Sequence, residues 1–175
     1  PVMFPRADRG WTDLMAWREP RPTCLLGDGL LRARQLGMIH GRDGSRKSWI
    51  LLTWGLCAAG GKDFFGIEVP EPIRVGLISL EDDAWTLRDR AVAIATKEEL
   101  DQKLLAENFH YIAPPVFDLA LDVTQPGQRK VLCEWILRHR LQLVLLDHLT
   151  RIHSLDDERQ LGTISSALID LCREC

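Results

Sequence analysis

The stretch HGRDGSRKSW, residues 40–49, decides the fold of this chain. It follows the pattern G-x-x-x-x-G-K-[S/T] of phosphate-binding loops at every position but one. Gly41 is the first glycine, and Lys47 and Ser48 close the pattern, but Arg46 stands where the second glycine belongs. Such a loop lies between a buried strand and a helix, because successive backbone N–H groups and the helix N-terminus together cradle a phosphate group. The motif therefore predicts a strand before the loop and a helix after it.

The residues on both sides of the loop have the expected patterns. QLGMIHG, residues 35–41, is a short apolar run ending in glycine, which is typical of a buried strand entering a turn. KSWILLTWGLCAAGG, residues 47–61, is apolar on nearly all sides and ends in two glycines, which indicates a buried helix. Because one glycine of the motif is missing, an ordinary strand-to-helix turn with surface Arg and Lys remains the alternative.

Beyond the loop, predicted strands and helices alternate. Strands are predicted at IRVGLISLED (73–82), FHYIAPP (109–115) and LQLVLLDHL (141–149), and helices at 82–95, 97–108, 129–140 and 156–175. Asp82 or Asp83 is placed to cap the first of these helices. The alternation predicts an α/β fold in which a mostly parallel sheet lies between two layers of helices. Residues 1–24 show no sustained period, so we expect an irregular lead-in there and one domain over residues 25–175.

Composition limits the classes of protein to consider. The 175 residues are 46% hydrophobic and 27% charged, an ordinary balance for one soluble domain. The net charge of −3 gives no overall electrostatic case for binding nucleic acid, although a local basic patch would escape this test. No apolar run approaches the roughly 20 residues needed to span a bilayer, and the N-terminal residues lack the apolar core of a signal peptide. We therefore expect a cytoplasmic protein whose five scattered cysteines are reduced thiols.

Two carboxylates end predicted strands. Asp147 closes LQLVLLD, and Glu81 closes VGLISLE. The carboxyl ends of parallel strands border the crevice in which α/β proteins bind ligands, so Asp147 is placed to hold Mg²⁺ through water. If the two strands are neighbours, Glu81 reaches the same crevice and can polarise an attacking water. A turn residue at 147 and an acidic helix start at 81 are the alternatives, but together with the loop these residues favour a nucleotide site.

The loop, the cluster SLED followed by LRDR, and the strand ending in Asp147 resemble RecA-fold, AAA-type ATPases of the RepA replicative-helicase kind over residues 25–175. The resemblance implies a three-layer P-loop NTPase fold, ATP and Mg²⁺ as ligands, a hexameric ring and single-stranded DNA as partner, as in plasmid and phage replication motors. It implies that Glu81 and Lys47 are catalytic and that Ser48 and Asp147 hold the metal. It places the nucleotide against Gly41, Asp43, Gly44, Ser45, Arg46, Lys47, Ser48 and Trp49.

The chain departs from that family in two respects. The family continues past the last helix with further strands, one of which inserts between the loop strand and the Asp147 strand, so we expect residues 25–175 to be an incomplete core with exposed strand edges. In addition, a Cβ at position 46 would obstruct the close approach of the backbone to phosphate, so we expect weakened nucleotide binding. We also expect Arg46 or Lys47 to pair with Asp147 or Glu81 in the empty state.

The departures leave a second function open. A non-catalytic scaffold or regulatory module derived from a P-loop ATPase would retain this fold while losing the nucleotide. Two further arginines, Arg88 and Arg90 in LRDR, are interpreted as a solvated helix face, with arginine fingers for a neighbouring subunit as the alternative. Trp49 and Trp54 are expected in the core of the loop helix, and Trp11 at the sheet edge.

Overall fold

The computed structural model of the chain describes residues 10–16, 18, 22–42, 44–80, 82–114, 121–147 and 159–175. Among these residues it contains six helices and five strands. In chain order they are α1 (Trp11–Ala16), β1 (Cys24–Leu26), β2 (Leu31–Arg32), α2 (Lys47–Gly60), β3 (Val75–Ser79), α3 (Ala84–Lys97), α4 (Gln102–Asn108), β4 (Phe109–Ile112), α5 (Pro126–His139), β5 (Leu143–Asp147) and α6 (Arg159–Glu174).

The main sheet is parallel and has the order β4-β3-β5. All five residues of β3 are buried, as expected for a central strand covered on both faces. Val75 is in register with Phe109 on one side and with Leu143 on the other. The strands predicted at 73–82 and 141–149 are thus confirmed in their central parts, and the strand predicted at 109–115 is confirmed in its first four residues.

Helices cover both faces of this sheet, which confirms the predicted three-layer α/β fold. The first face carries alternate residues of β3 and β5, such as Val75 and Leu145, which pack with Leu52 and Leu56 of α2. The second face packs against α5 and α6, which contribute to one core the residues Leu132, Ile136, Ile164, Ala167, Leu168 and Leu171. The alternation of strand side chains between two faces separates the two cores.

Two glycines allow helices and sheet to approach closely. A Cβ added at Gly55 of α2 would lie 2.6 Å from Cδ1 of Leu145 on β5. A Cβ added at Gly76 of β3 would lie 2.6 Å from the Trp135 ring of α5 and 2.5 Å from Leu141. Distances below 3.0 Å leave no room for a methyl group without a shift of the neighbour. The positions of α2 and α5 on the sheet therefore depend on these glycines.

The predicted helix ends are confirmed where the chain supplies their caps. Gly61 ends α2 with a left-handed backbone, φ 67°, and its N–H bonds the Ala58 carbonyl. Asp83 caps α3, and its carboxylate accepts a hydrogen bond of 2.7 Å from the Thr86 N–H. These backbone hydrogen bonds hold the pKa of Asp83 below its usual value.

The strand predicted at residues 35–41 is wrong. Residues 35–42 form neither helix nor strand, and the apolar side chains of this run are exposed, with Met38 at 74%. A strand exists only where a neighbour pairs with its backbone. On the side of β5 away from β3, no strand pairs among the residues that the structure describes. The run has the apolar composition of a strand, but among the described residues no strand pairs with it.

The prediction that residues 1–24 are irregular is wrong in part. The helix α1 covers Trp11–Ala16, and Cys24 begins β1, which pairs with β2 in an antiparallel hairpin. Trp11 is 74% exposed, so the expectation that it packs at the sheet edge is also wrong.

The cysteines correct another expectation. Cys133 of α5 and Cys175, which follows α6, form a disulfide, whereas Cys24, Cys57 and Cys172 are free thiols. Because α5 and α6 pack on the same face of the sheet, residues 42 apart in sequence come to a Cα–Cα distance of 5.9 Å. Among the described residues, no helix combines the length and apolar character needed to cross a membrane.

Candidate nucleotide site

The N-terminus of α2 lies at the edge where the parallel strands end. At its other end, α2 is joined to the strand starts: the Ile73 N–H bonds the Ala58 carbonyl at 3.1 Å, and Asn108 Nδ2 bonds the Ala59 carbonyl at 3.1 Å. Ile73 lies two residues before β3, and Asn108 directly precedes β4, so the C-terminal end of α2 lies beside the starts of both strands. The helix α2 therefore runs antiparallel to these strands. Its first turn, with Lys47, therefore lies on the crevice side of the sheet.

The loop folds tightly around the Lys47 side chain. Lys47 Nζ donates hydrogen bonds to the Gly41 carbonyl at 2.8 Å and to the Arg42 carbonyl at 2.9 Å. A Cβ at Gly41 would lie 2.8 Å from Ser45 Oγ, so only glycine lets the loop close at this point without displacing Ser45. Gly44 has a left-handed backbone, φ 75°, which glycine adopts at little cost. The structure thus brings Gly41, Ser45 and Lys47 together.

Arg46 adopts the backbone conformation that a glycine would favour. Its φ and ψ are 59° and 31°, in the left-handed region, and its side chain is exposed. Arg46 is the N-cap of α2, and because a guanidinium has no acceptor atom it cannot cap the first N–H groups of the helix. These N–H groups lie at the positive end of the helix dipole, where anions bind. Among the described residues, no ion pair involves Arg46.

The strand ends that carry the two predicted carboxylates are adjacent. Ser79 of β3 is in register with Asp147 of β5, and the Leu80 N–H bonds the Asp147 carbonyl at 2.7 Å. The condition on which the role of Glu81 depended, that its strand lies beside the Asp147 strand, is therefore met. Glu81 itself, like Asp43, lies outside the described residues. Asp147 is half-buried.

The first residues of α2 are not all core residues. Trp49, predicted to be both a nucleotide contact and a core residue, is 39% exposed, whereas Trp54 is half-buried and packs against the core of the first face. The Trp49 ring lies 5.5 Å from the guanidinium carbon of Arg90 on α3. The prediction that Trp49 is a core residue is therefore wrong.

Sequence reasoning missed Ser79 and the contact between Asp82 and Arg90, which lie beside the site. Ser79 is 1% exposed, and its hydroxyl accepts a hydrogen bond of 3.3 Å from the Asp82 N–H. Asp82 pairs with Arg90, whose side chain is only 26% exposed. The interpretation of Arg90 as a solvated residue is thus wrong, while Arg88 is exposed as predicted. A serine directly preceding an LED cluster was the available clue, but the Asp82–Arg90 contact spans eight residues around a turn and has no periodic pattern.

The phosphate-loop motif at the start of a buried helix, facing the ends of two adjacent parallel strands, defines the class of P-loop proteins. Residues 4–175 match the AAA domain family, so the chain belongs to that family and is an ATPase-type domain. A comparison with curated proteins finds no match.

Proposed function

We propose that this chain is the ATP-binding and ATP-hydrolysing domain of a replicative helicase of the plasmid and phage kind, or of a related DNA motor. The observation that carries the proposal is the shared edge: the first turn of α2, with Lys47 beneath the glycine loop, faces the side on which Ser79 and Asp147 end neighbouring strands. Membership of the AAA domain family supports the nucleotide, and the resemblance of the SLED and LRDR clusters supports the helicase.

The residues present fit a nucleoside triphosphate and its metal. The N–H groups at the start of α2, to which the Arg46 side chain provides no cap, suit phosphate oxygens, and Lys47 would exchange its two carbonyl partners for them. Ser48 and Asp147, both half-buried, offer the hydroxyl and carboxylate oxygens that Mg²⁺ prefers. A bound Mg²⁺ would neutralise charge on the phosphates. Glu81 would orient and polarise the attacking water.

Arg46 makes weak binding part of the proposal. The backbone at this position has the conformation of a loop glycine, but it carries a Cβ and a long side chain. Close approach of phosphate to this backbone then requires the side chain to turn away. The same observation favours the second candidate, a non-catalytic scaffold or regulatory module in which Arg46 has closed the site.

The proposal extends to the assembly. The RepA-like resemblance supports a homo-oligomeric ring in the cytoplasm that contacts single-stranded DNA. The net charge of −3 means that such DNA contacts would have to be local.

Isothermal titration calorimetry with Mg·ATP tests the site. We expect weak but saturable binding to the unaltered chain, loss of measurable heat in Lys47→Ala, and weaker binding in Asp147→Asn. Lys130→Ala is the matched control, because Lys130 is an exposed lysine of α5, on the opposite layer from α2. Hydrolysis is then measured with and without single-stranded DNA.

The outcomes separate the two functions. Binding with turnover supports the motor. Binding only after Arg46→Gly supports the scaffold, and binding by neither form would refute a nucleotide site.

A further inference from the structure

One guanidinium connects the two halves of the candidate site. Arg90, in the second turn of α3, forms an ion pair with Asp82 and lies over the Trp49 ring at 5.5 Å. Asp82 directly follows Glu81 in the sequence, and Trp49 directly follows Ser48. We refer to Asp82, Arg90 and Trp49 as the clasp.

The burial of the clasp distinguishes it from a surface ion pair. The side chains of Arg90 and Asp82 are 26% and 20% exposed, whereas the neighbouring pair Arg88 and Asp89 is 67% and 77% exposed. An exposed pair contributes little, because water and salt screen it. A guanidinium that is partly withdrawn from water interacts more strongly with both a carboxylate and an aromatic face.

The clasp lies beside backbone that is already fixed at neighbouring points. Leu80 bonds the end of β5 through its N–H, and Asp82 donates its N–H to Ser79 Oγ. Asp83 is held by capping α3. Through its ion pair with Asp82 and its contact with the Trp49 ring, Arg90 connects this turn to α2, the helix that begins with Lys47. One side chain of α3 thus contacts both the segment that follows β3 and the first turn of the loop helix.

We propose that Arg90 is a positioning residue that holds Asp82, and with it the segment joining β3 to α3, relative to the phosphate loop. This inference rests on the proposed function, because it assigns Arg90 to the hydrolysis step. A general base must lie within hydrogen-bond reach of its proton, and a misplacement of about 1 Å can cost roughly 100-fold in rate. Arg90 acts through Asp82 and Trp49, so its loss should affect turnover far more than nucleotide affinity.

The test compares Arg90→Gln and Arg90→Lys with Arg88→Gln, a matched control on the same helix. Mg·ATP affinity is measured by calorimetry and kcat by steady-state hydrolysis. We expect Arg90→Gln to lower kcat by about 10- to 100-fold while the dissociation constant changes less than about threefold. Arg90→Lys should recover part of the rate, since it keeps the ion pair but loses the planar stacking. Arg88→Gln should match the unaltered chain.

A second readout needs no nucleotide. Hydrogen exchange at the Asp82 and Thr86 amides should become faster in Arg90→Gln and stay unchanged in Arg88→Gln. If the unaltered chain shows no turnover, the proposed motor fails, and the exchange result alone supports or overturns the clasp. Unchanged exchange in Arg90→Gln, or an equal loss of affinity and kcat, would overturn the positioning role.

Discussion

Replacing Arg46 by glycine should make the protein more stable. With φ 59° and ψ 31°, Arg46 occupies a region that costs a non-glycine residue about 1–2 kcal/mol. Glycine adopts it freely but loses more entropy on folding, about 0.5–1 kcal/mol. The net gain is about 0.5–1 kcal/mol, which corresponds to a rise in melting temperature of about 2 °C for a chain of this size.

The same change should tighten nucleotide binding. Removing the Cβ relieves crowding against a phosphate. Overpacking of this kind typically costs about 1–3 kcal/mol, and we take that range as the gain in binding free energy. Removing the charge loses an attraction of roughly 1 kcal/mol at an exposed position. The balance, about 1 kcal/mol, predicts a dissociation constant about fivefold lower for Arg46→Gly. Arg46→Ala, which removes the charge but keeps the Cβ, should instead bind about fivefold more weakly.

Thermal unfolding and Mg·ATP calorimetry on the unaltered chain, Arg46→Gly and Arg46→Ala test this reasoning. The two variants are predicted to change nucleotide affinity in opposite directions. Equal affinity for the glycine and alanine variants would show that the Cβ is not the obstacle. A glycine variant that melts at or below the unaltered chain would show that Arg46 is not strained. Either result refutes the reasoning from backbone conformation.

Two further predictions concern the fold. Gly55→Ala should lower the free energy of unfolding in urea by about 1 kcal/mol, since the added Cβ would lie 2.6 Å from buried Leu145, whereas Gly162→Ala, whose Cβ meets no atom within 4 Å, should raise it by about 1 kcal/mol. Equal effects would show that α2 is not tightly packed on the sheet. Reduction of the Cys133–Cys175 disulfide, which spans 42 residues, should lower the free energy of unfolding by about 4 kcal/mol, and the denatured, unreduced chain should titrate three thiols. Five titrating thiols would contradict the disulfide.

The layers of the fold could be predicted from the sequence because their patterns are local. The five residues of β3 are buried on both sides, and the run ending at Asp147 has the same continuous apolar character. The Gly61 and Asp83 caps follow from residue chemistry at helix ends. The adjacency of β3 and β5, on which the Glu81 prediction depended, does not follow from these local patterns, because β4 lies between the two strands in the chain.

The parts that could not be predicted depend on distant partners. Residues 35–41 have the composition of a strand, but a strand also needs a neighbour, which no local pattern specifies. The disulfide depends on how α5 packs beside α6, and Cys133 and Cys175 carry no spacing that indicates it. Arg90 lies on α3, Trp49 lies on α2, and Asp82 precedes α3. Helical periodicity describes one helix at a time, so it does not predict contacts among these three residues.

The phosphate loop is supported unequally on its two sides, and this affects what Arg46 alone can explain. On the C-terminal side, Gly55 places α2 against the sheet, and the loop helix is part of the core. On the N-terminal side, residues 35–40 are exposed, and within the described chain their backbone makes no hydrogen bond to β5. Binding affinity depends on preorganisation as well as on contacts, because ordering a segment on binding costs free energy. Restoring glycine at position 46 removes the local obstacle and leaves the unequal support unchanged. The gain from Arg46→Gly therefore measures the net effect of removing the Arg46 side chain, and any weakness that remains belongs to the segment that precedes the loop.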